Sequence, residues 1–139
     1  MSQQTAETIK SAQKAHYDGI SEVYAERIDR VSYDYYFRFT EDAILSAITS
    51  HFGDNVEISG LDVGCGIGDF TAAINEKCQS MIGVDISSGM VSVADSAHQR
   101  PGLSFAASPS DKLDFPSATF DFSIAIHLLH HLADETLIK

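Results

Sequence analysis

The sequence predicts an α/β protein, with a helical segment in front of a parallel sheet. Three observations carry this. Residues 5–51 read as helices. From residue 56 onward short apolar runs alternate with helical stretches. A turn with three glycines, Gly64, Gly66 and Gly68, follows directly on the first of those apolar runs. Repeated strand–helix units place successive strands parallel, with helices on both faces and right-handed crossovers.

Taken in order, "TAETIKSAQKAHY" is a helix of mixed polarity. "ISEVYAERIDRV" sets Ile20, Val23, Tyr24 and Ile28 at helical spacing. "TEDAILSAITSHFG" offers Thr40 as an N-cap, Glu41 and Asp42 in the first turn, and Gly53 as a stop. "VEISGLDV" is strand-like and "GDFTAAINEKC" reads as helix. "MIGVD" is a strand ending in an acid, and "SSGMVSVADSAHQ" is a helix capped by Ser87 or Ser88. "LSFAA" is a strand, "FDFSIAI" a strand buried on both faces at its end, and "ETLIK" begins another helix. The division this suggests is an N-terminal helical cap over residues 1–55 and a cofactor-binding domain over 56–139.

Composition narrows the function. At 139 residues and 44% hydrophobic, the chain suits one domain with a real core. No run of about 18 apolar residues exists, and the N-terminus has no apolar signal region. The expectation is no membrane partner and a cytoplasmic setting, since Cys65 and Cys78 make neither a disulfide framework nor a metal spacing. The charge is −11 and the nine basic residues are scattered, so no basic stripe calls for nucleic acid. A small-molecule or protein partner is favoured.

The glycine turn carries the chemistry. A strand running into a glycine-rich turn and then a helix gathers backbone N–H groups and a positive helix end around a ligand. Gly64 allows an unusual backbone angle, and Gly66 and Gly68 let the backbone approach a ligand with no Cβ in the way. Asp85 closes the next strand 17 residues after Gly68, where a ribose diol is gripped. Together they predict a nucleoside-containing cofactor on a Rossmann-like sheet. The dinucleotide spacing G-x-G-x-x-G is not met, because residue 69 is Asp. Asp62 and Asp69 beside the turn would repel a pyrophosphate and suit an ammonium or sulfonium. S-adenosylmethionine is therefore favoured over NAD.

"LDVGCGIG", "GVDISSGMVSVA" and "DKLDFPSATFDFSIAIHLLHHLAD" resemble the motifs of class I S-adenosylmethionine-dependent methyltransferases, in the small-molecule branch that includes quinone-ring methyltransferases. The resemblance covers about residues 57–134, and "YDGISEVYAERI" is similar to the family's N-terminal helices. It implies that Asp62 and the backbone of Gly64, Cys65, Gly66 and Gly68 face the methionine part of S-adenosylmethionine. It gives Asp85 both ribose hydroxyls and places Ile86 and Met90 on the adenine. Tyr17 and Tyr24 would close over the pocket, with Ala125 to His127 near the sulfonium. The family's adenine-binding Asp falls on Pro109 here. Ser110 and Asp111 follow it, and one hydrogen bond of about 1 kcal/mol is missing. The implied sheet order is 3-2-1-4-5-7-6. Only strands 3-2-1-4 are present, which leaves the fourth at an edge and implies a truncated or divided enzyme, a homodimer or a companion chain covering it.

Other chemistry-bearing residues have plainer readings. His127, His130 and His131 read as a packing motif with no metal site; His127, nearest the pocket, is the candidate base for an otherwise unassigned catalytic residue. Tyr33, Tyr35, Tyr36, Phe37 and Phe39 form an aromatic cluster for core or lid packing, or for an apolar acceptor. Cys65 is a small filler. The expected function is methyl transfer from S-adenosylmethionine to a small molecule by direct displacement, in which positioning is the protein's main contribution. The alternatives are a non-catalytic module of the same fold and, disfavoured by the glycine spacing, an NAD-dependent oxidoreductase.

Overall fold

A computed structural model describes residues 3–27 and 30–132. Two long helices come first, α1 (Gln3–Arg27) and α2 (Arg30–Phe52). Then follow β1 (Ser59–Val63), α3 (Asp69–Asn75), β2 (Ser80–Asp85), α4 (Ser88–Ala97), β3 (Leu103–Ala107), β4 (Phe122–Ile124) and a 3-10 turn over Leu129–His131. The sheet is parallel throughout, in the order β3-β2-β1-β4, so among the described residues β4 stands at an edge.

The helical segment differs from its prediction in two places. The stretches predicted over 5–17 and 20–31 are one helix as far as Arg27, running through Gly19; residues 28–29 lie outside the described residues, and Arg30 and Val31 open α2. A helical glycine costs about 1 kcal/mol relative to Ala, and the docking of α1 on α4 described below offsets it. Thr40 is not an N-cap but lies inside α2. The aromatic run before it, which carries no Pro or Gly, continues the helix upstream. Gly53 does end α2, with φ +65° and its N–H donating to Thr49 O at 2.8 Å.

The sheet segment follows its predictions closely. β3 spans the predicted residues, and Ser87 caps α4 by accepting from Met90 N. The core gathers Ile58 before β1, Met81 of β2, Ile74 of α3 and Ile48 of α2, with Ile44, Leu103, Phe122 and Ile124 packed against them. Gly60 and Gly83 make room on this face. A Cβ on Gly60 would lie 2.3 Å from the Met81 sulfur, and one on Gly83 would lie 2.7 Å from the Phe105 ring. Two expectations need correction. β4 is not buried on both faces, because Ser123 is exposed between half-buried Phe122 and Ile124. Likewise the described helices pack on the face bearing Leu103, Phe105 and Phe122, while Ser104, Ala106 and Ser123 on the other face are exposed. The helix predicted at "ETLIK" lies outside the described residues.

Candidate functional site

At the carboxyl ends of the strands the chain encloses a cavity of about 450 Å³. That is within the range of roughly 300–1,000 Å³ typical of small-molecule sites. Its floor is backbone. Gly64 and Cys65 donate their N–H groups to Val84 O at 2.8 and 3.0 Å, and Gly68 N–H donates to Cys65 O at 3.0 Å. Gly64, Gly66 and Gly68 all have positive φ, +81°, +55° and +84°. Their reasons for being glycine differ. A Cβ on Gly66 would meet nothing within 4 Å, so of the three this residue alone leaves open space at the cavity. One on Gly64 would press on Leu128, and one on Gly68 would stand 2.7 Å from the Phe105 ring and 2.9 Å from Ala94 Cβ. The ligand-approach role expected of Gly68 is thus corrected: its missing Cβ lets α3, α4 and β3 come together, and it does not line the cavity.

Asp85, at the tip of β2, is aimed by two backbone donors. Gly66 N–H reaches its Oδ2 and Ser87 N–H its Oδ1, each at 2.9 Å. Each carboxylate oxygen keeps a second lone pair for a hydroxyl. Asp62 is 2% exposed and accepts the Thr71 hydroxyl at 2.7 Å. Burial, reinforced by nearby Asp85 and opposed by the Thr71 hydrogen bond, raises its carboxyl to about 6. Burial also pushes the Cys65 thiol well above its ordinary range, so it stays protonated and is no nucleophile. Asp69 accepts the Tyr33 hydroxyl at 2.9 Å and stands 3.1 Å from His98 Nε2.

The roof is built from side chains. Asp18 of α1 reaches the N-terminus of α4, where its Oδ1 accepts Ser87 Oγ at 2.6 Å and Gly89 N–H at 3.0 Å. Gly89 is needed there, since a Cβ would lie 2.7 Å from Ser21 Oγ. Lys14 donates to Asp18 Oδ2 at 2.5 Å. With that bond first and those from Ser87 and Gly89 next, the Asp18 carboxyl is lowered to about 2. Lys10 pairs with Asp111, Gln13 Nε2 donates to His131 O at 2.7 Å, and the Tyr17 hydroxyl lies 3.1 Å from His131 Nε2. Tyr17 also meets Tyr24 edge to face. α2 supplies a second wall. Tyr36 lies 4.9 Å from the His127 ring and 6.2 Å from Phe70, and Phe37 stacks on Phe70 at 4.5 Å.

The cavity brings together most of the residues predicted to bind a cofactor: Tyr17, Tyr24, Asp62, Gly64, Cys65, Gly66, Asp85, Ile86, Met90, Ser110 and Asp111, with His127 beside them. Ala125 is not among the lining residues; its neighbour Ile126 is. Pro109 also lines the cavity. Sequence reasoning missed Lys10, Gln13, Asp18, Phe70 and Leu132, and read His131 as packing only. The aromatic cluster splits by helix face. Tyr33 and Tyr36 line the cavity, whereas Tyr35 and Phe39 point to solvent at 77% and 68% exposure. Among the described residues no group of His, Cys, Asp and Glu could hold a metal, and no helix is long and apolar enough to cross a membrane.

Comparison with known proteins agrees with this architecture. YcgJ of Bacillus subtilis, an uncharacterized methyltransferase, is 35% identical over 77 residues, 53% of this chain and 30% of that protein. Ajmaline N-methyltransferase of Rauvolfia serpentina is 32% identical over 80 residues, 54% of this chain and 28% of its own length. The matched stretch is thus less than a third of either curated relative. The crystal structure of YcgJ superposes with a TM-score of 0.56 at 28% identity, over 66% of this chain and 40% of that one. Magnesium protoporphyrin IX methyltransferase of Synechocystis PCC 6803, solved with bound SAH, gives a TM-score of 0.72 over 88% of this chain and 60% of its own. At 18% identity it shares the fold. Residues 61–138, from β1 past the end of β4, match the family described as "Methyltransferase domain", and the chain belongs to that family.

Proposed function

We propose that this chain carries the S-adenosylmethionine site of a methyltransferase acting on a small molecule. The observation that carries the reading is Asp85, held by Gly66 and Ser87 N–H groups beside a glycine whose Cβ position is open to the cavity. The residues fit the cofactor. Asp85 would take the ribose hydroxyls. Ile86 and Met90 would flank the adenine, with Ser110 and Asp111 at its edge. Asp62 and the Gly64–Gly66 backbone would face the methionine part. The cofactor supplies an electrophilic methyl group on a sulfonium. The chain positions and desolvates. Tyr17 and Tyr24 cover the cavity, α1 excludes water, and His127 is placed to take a proton from the acceptor.

In this reading residues 1–55 act as a cap on the cofactor-binding domain of 56–139. The free edge of β4 receives further strands, a companion chain or a second copy. The free cysteines Cys65 and Cys78 suit a cytoplasmic setting. Calorimetric titration of the chain with S-adenosylhomocysteine tests the core of it. Saturable binding that Asp85→Ala weakens by about 100-fold supports the reading, and a folded chain that binds neither S-adenosylmethionine nor S-adenosylhomocysteine sinks it. Binding without turnover toward any acceptor would favour a non-catalytic module.

A further inference from the structure

We propose that the acceptor for this site is an amine on an aromatic or apolar body, bound from solution as its ammonium form; this rests on the function proposed above. Two independent features of the cavity point there. The first is the aromatic wall that α2 and α3 supply. Tyr36, Phe70 and His127 present a continuous aromatic surface, with ring centroids 4.9 and 6.2 Å from Tyr36. Tyr33 lines the cavity next to it with its hydroxyl given to Asp69. Ring faces are electronegative and attract a cation placed within about 6 Å of the centroid, while their breadth accepts a flat apolar body.

The second feature is the charge of the lining. Asp69 lines the cavity beside Tyr33 and is left over for the acceptor, while Asp62, Asp85 and Asp111 line it on the side given to the cofactor. Lys10 is the lone Lys or Arg among the described lining residues, and it is paired with Asp111. A carboxylate or phosphate acceptor would meet carboxylates with no uncommitted Lys or Arg to receive it. A neutral alcohol would gain nothing from the aromatic wall beyond its apolar contact. An ammonium gains from both.

The chemistry balances. The bound ammonium first gives a proton to His127 or to water, which frees the nitrogen lone pair. That pair forms the new N–C bond as the S–C bond breaks, and the electrons of the broken bond stay on sulfur as a neutral thioether. His127 passes the proton on to solvent, and the nitrogen is then a more substituted ammonium, a cation the same wall can hold.

The test uses the full chain saturated with S-adenosylhomocysteine and three probes that share a phenethyl body: phenethylamine, 2-phenylethanol and 3-phenylpropionate. We expect the amine to bind about tenfold more tightly than the other two. Tyr36→Leu and Phe70→Leu should each weaken the amine by about fivefold and leave S-adenosylhomocysteine affinity within about twofold. Absence of amine binding, carboxylate or alcohol binding as tight as the amine, or amine affinity untouched by both variants would overturn the proposal. Titration of S-adenosylhomocysteine alone is read separately. If it fails, the cofactor reading falls, and the ranking of the three probes on the chain alone still decides the chemistry of this wall.

Discussion

The floor and the roof of the cavity are made of different material. The floor is main chain, in which Gly64, Cys65 and Gly66 place N–H groups on Val84 and Asp85. The roof is side chain, in which Lys10, Gln13, Tyr17 and Asp18 reach from one helix to Asp111, His131 and the start of α4. Main-chain geometry is fixed by which residue can adopt it, so the floor tolerates little substitution. The roof holds through several separate polar ties, each replaceable and each modest in strength. Such a division suits a site whose ligand-binding surface must be rigid and whose cover must release for exchange.

Four perturbations sharpen the contrast. The largest effect belongs to Gly68→Ala, with positive φ and a Cβ driven against Phe105 and Ala94. About 3 kcal/mol of stability should go, read as a fall in the urea midpoint; an unchanged midpoint would mean the turn is less rigid than described. Next, Asp85→Ala removes the charged acceptor proposed for the two ribose hydroxyls. It should weaken S-adenosylhomocysteine by about 100-fold in calorimetry with the fold retained. Asp18→Ala takes away a side chain that ties α1 to Ser87 and Gly89, and should cost about 1 kcal/mol. Faster amide exchange confined to α1 and the start of α4 is its signature, and Asp18→Asn should restore part of the protection. Smallest is Lys10→Met, which breaks a half-buried ion pair worth about 0.5 kcal/mol. Its effect on ligand affinity should shrink at high salt; a salt-independent loss would point to packing instead.

Acid and base act on the two regions in opposite directions. Asp18 in the roof has a carboxyl lowered to about 2, and Asp111 is lowered by its bond from Lys10. Both contribute stability above the ordinary carboxylate value that is lost in acid, that of Asp18 as pH falls below about 4 toward 2. Asp62 in the floor is raised to about 6. The folded chain then holds its proton more tightly than the unfolded one, and stability declines as pH rises from about 4 through 6. Asp62→Asn, which can still accept from Thr71, should flatten the thermal-stability profile across that window. A profile unchanged by the substitution would show that another group sets it.

How far the sequence could be read follows the same division. Gly64, Gly66 and Asp85 were legible because local chemistry demands them: a positive φ or an acid at a strand end is written in the residue type. Ser87 was legible because a cap lies three residues from its partner. Thr40 misled because its flanking signals fit a helix start equally well when the helix began earlier. Asp18, Lys10 and Phe70 carried no local mark; the partners that place them at the cavity are tens of residues away and exist only once α1 and α3 are docked. Gly68 shows the limit within a motif, since spacing alone did not separate a glycine that faces the ligand from one that faces a neighbouring ring.

The pairing of β4 has a kinetic consequence. Gly60 meets Phe122 across about sixty residues, whereas Gly60 meets Met81 and Met81 meets Leu103 across about twenty. Closing a loop three times longer costs about 1 kcal/mol more in chain entropy, and only three residue pairs compensate it. β1, β2 and β3 should therefore assemble first, with β4 joining late. Ile126, His127 and Leu128 follow directly on β4 and line the cavity, so the nascent protein would own its glycine turn before it owns a closed pocket.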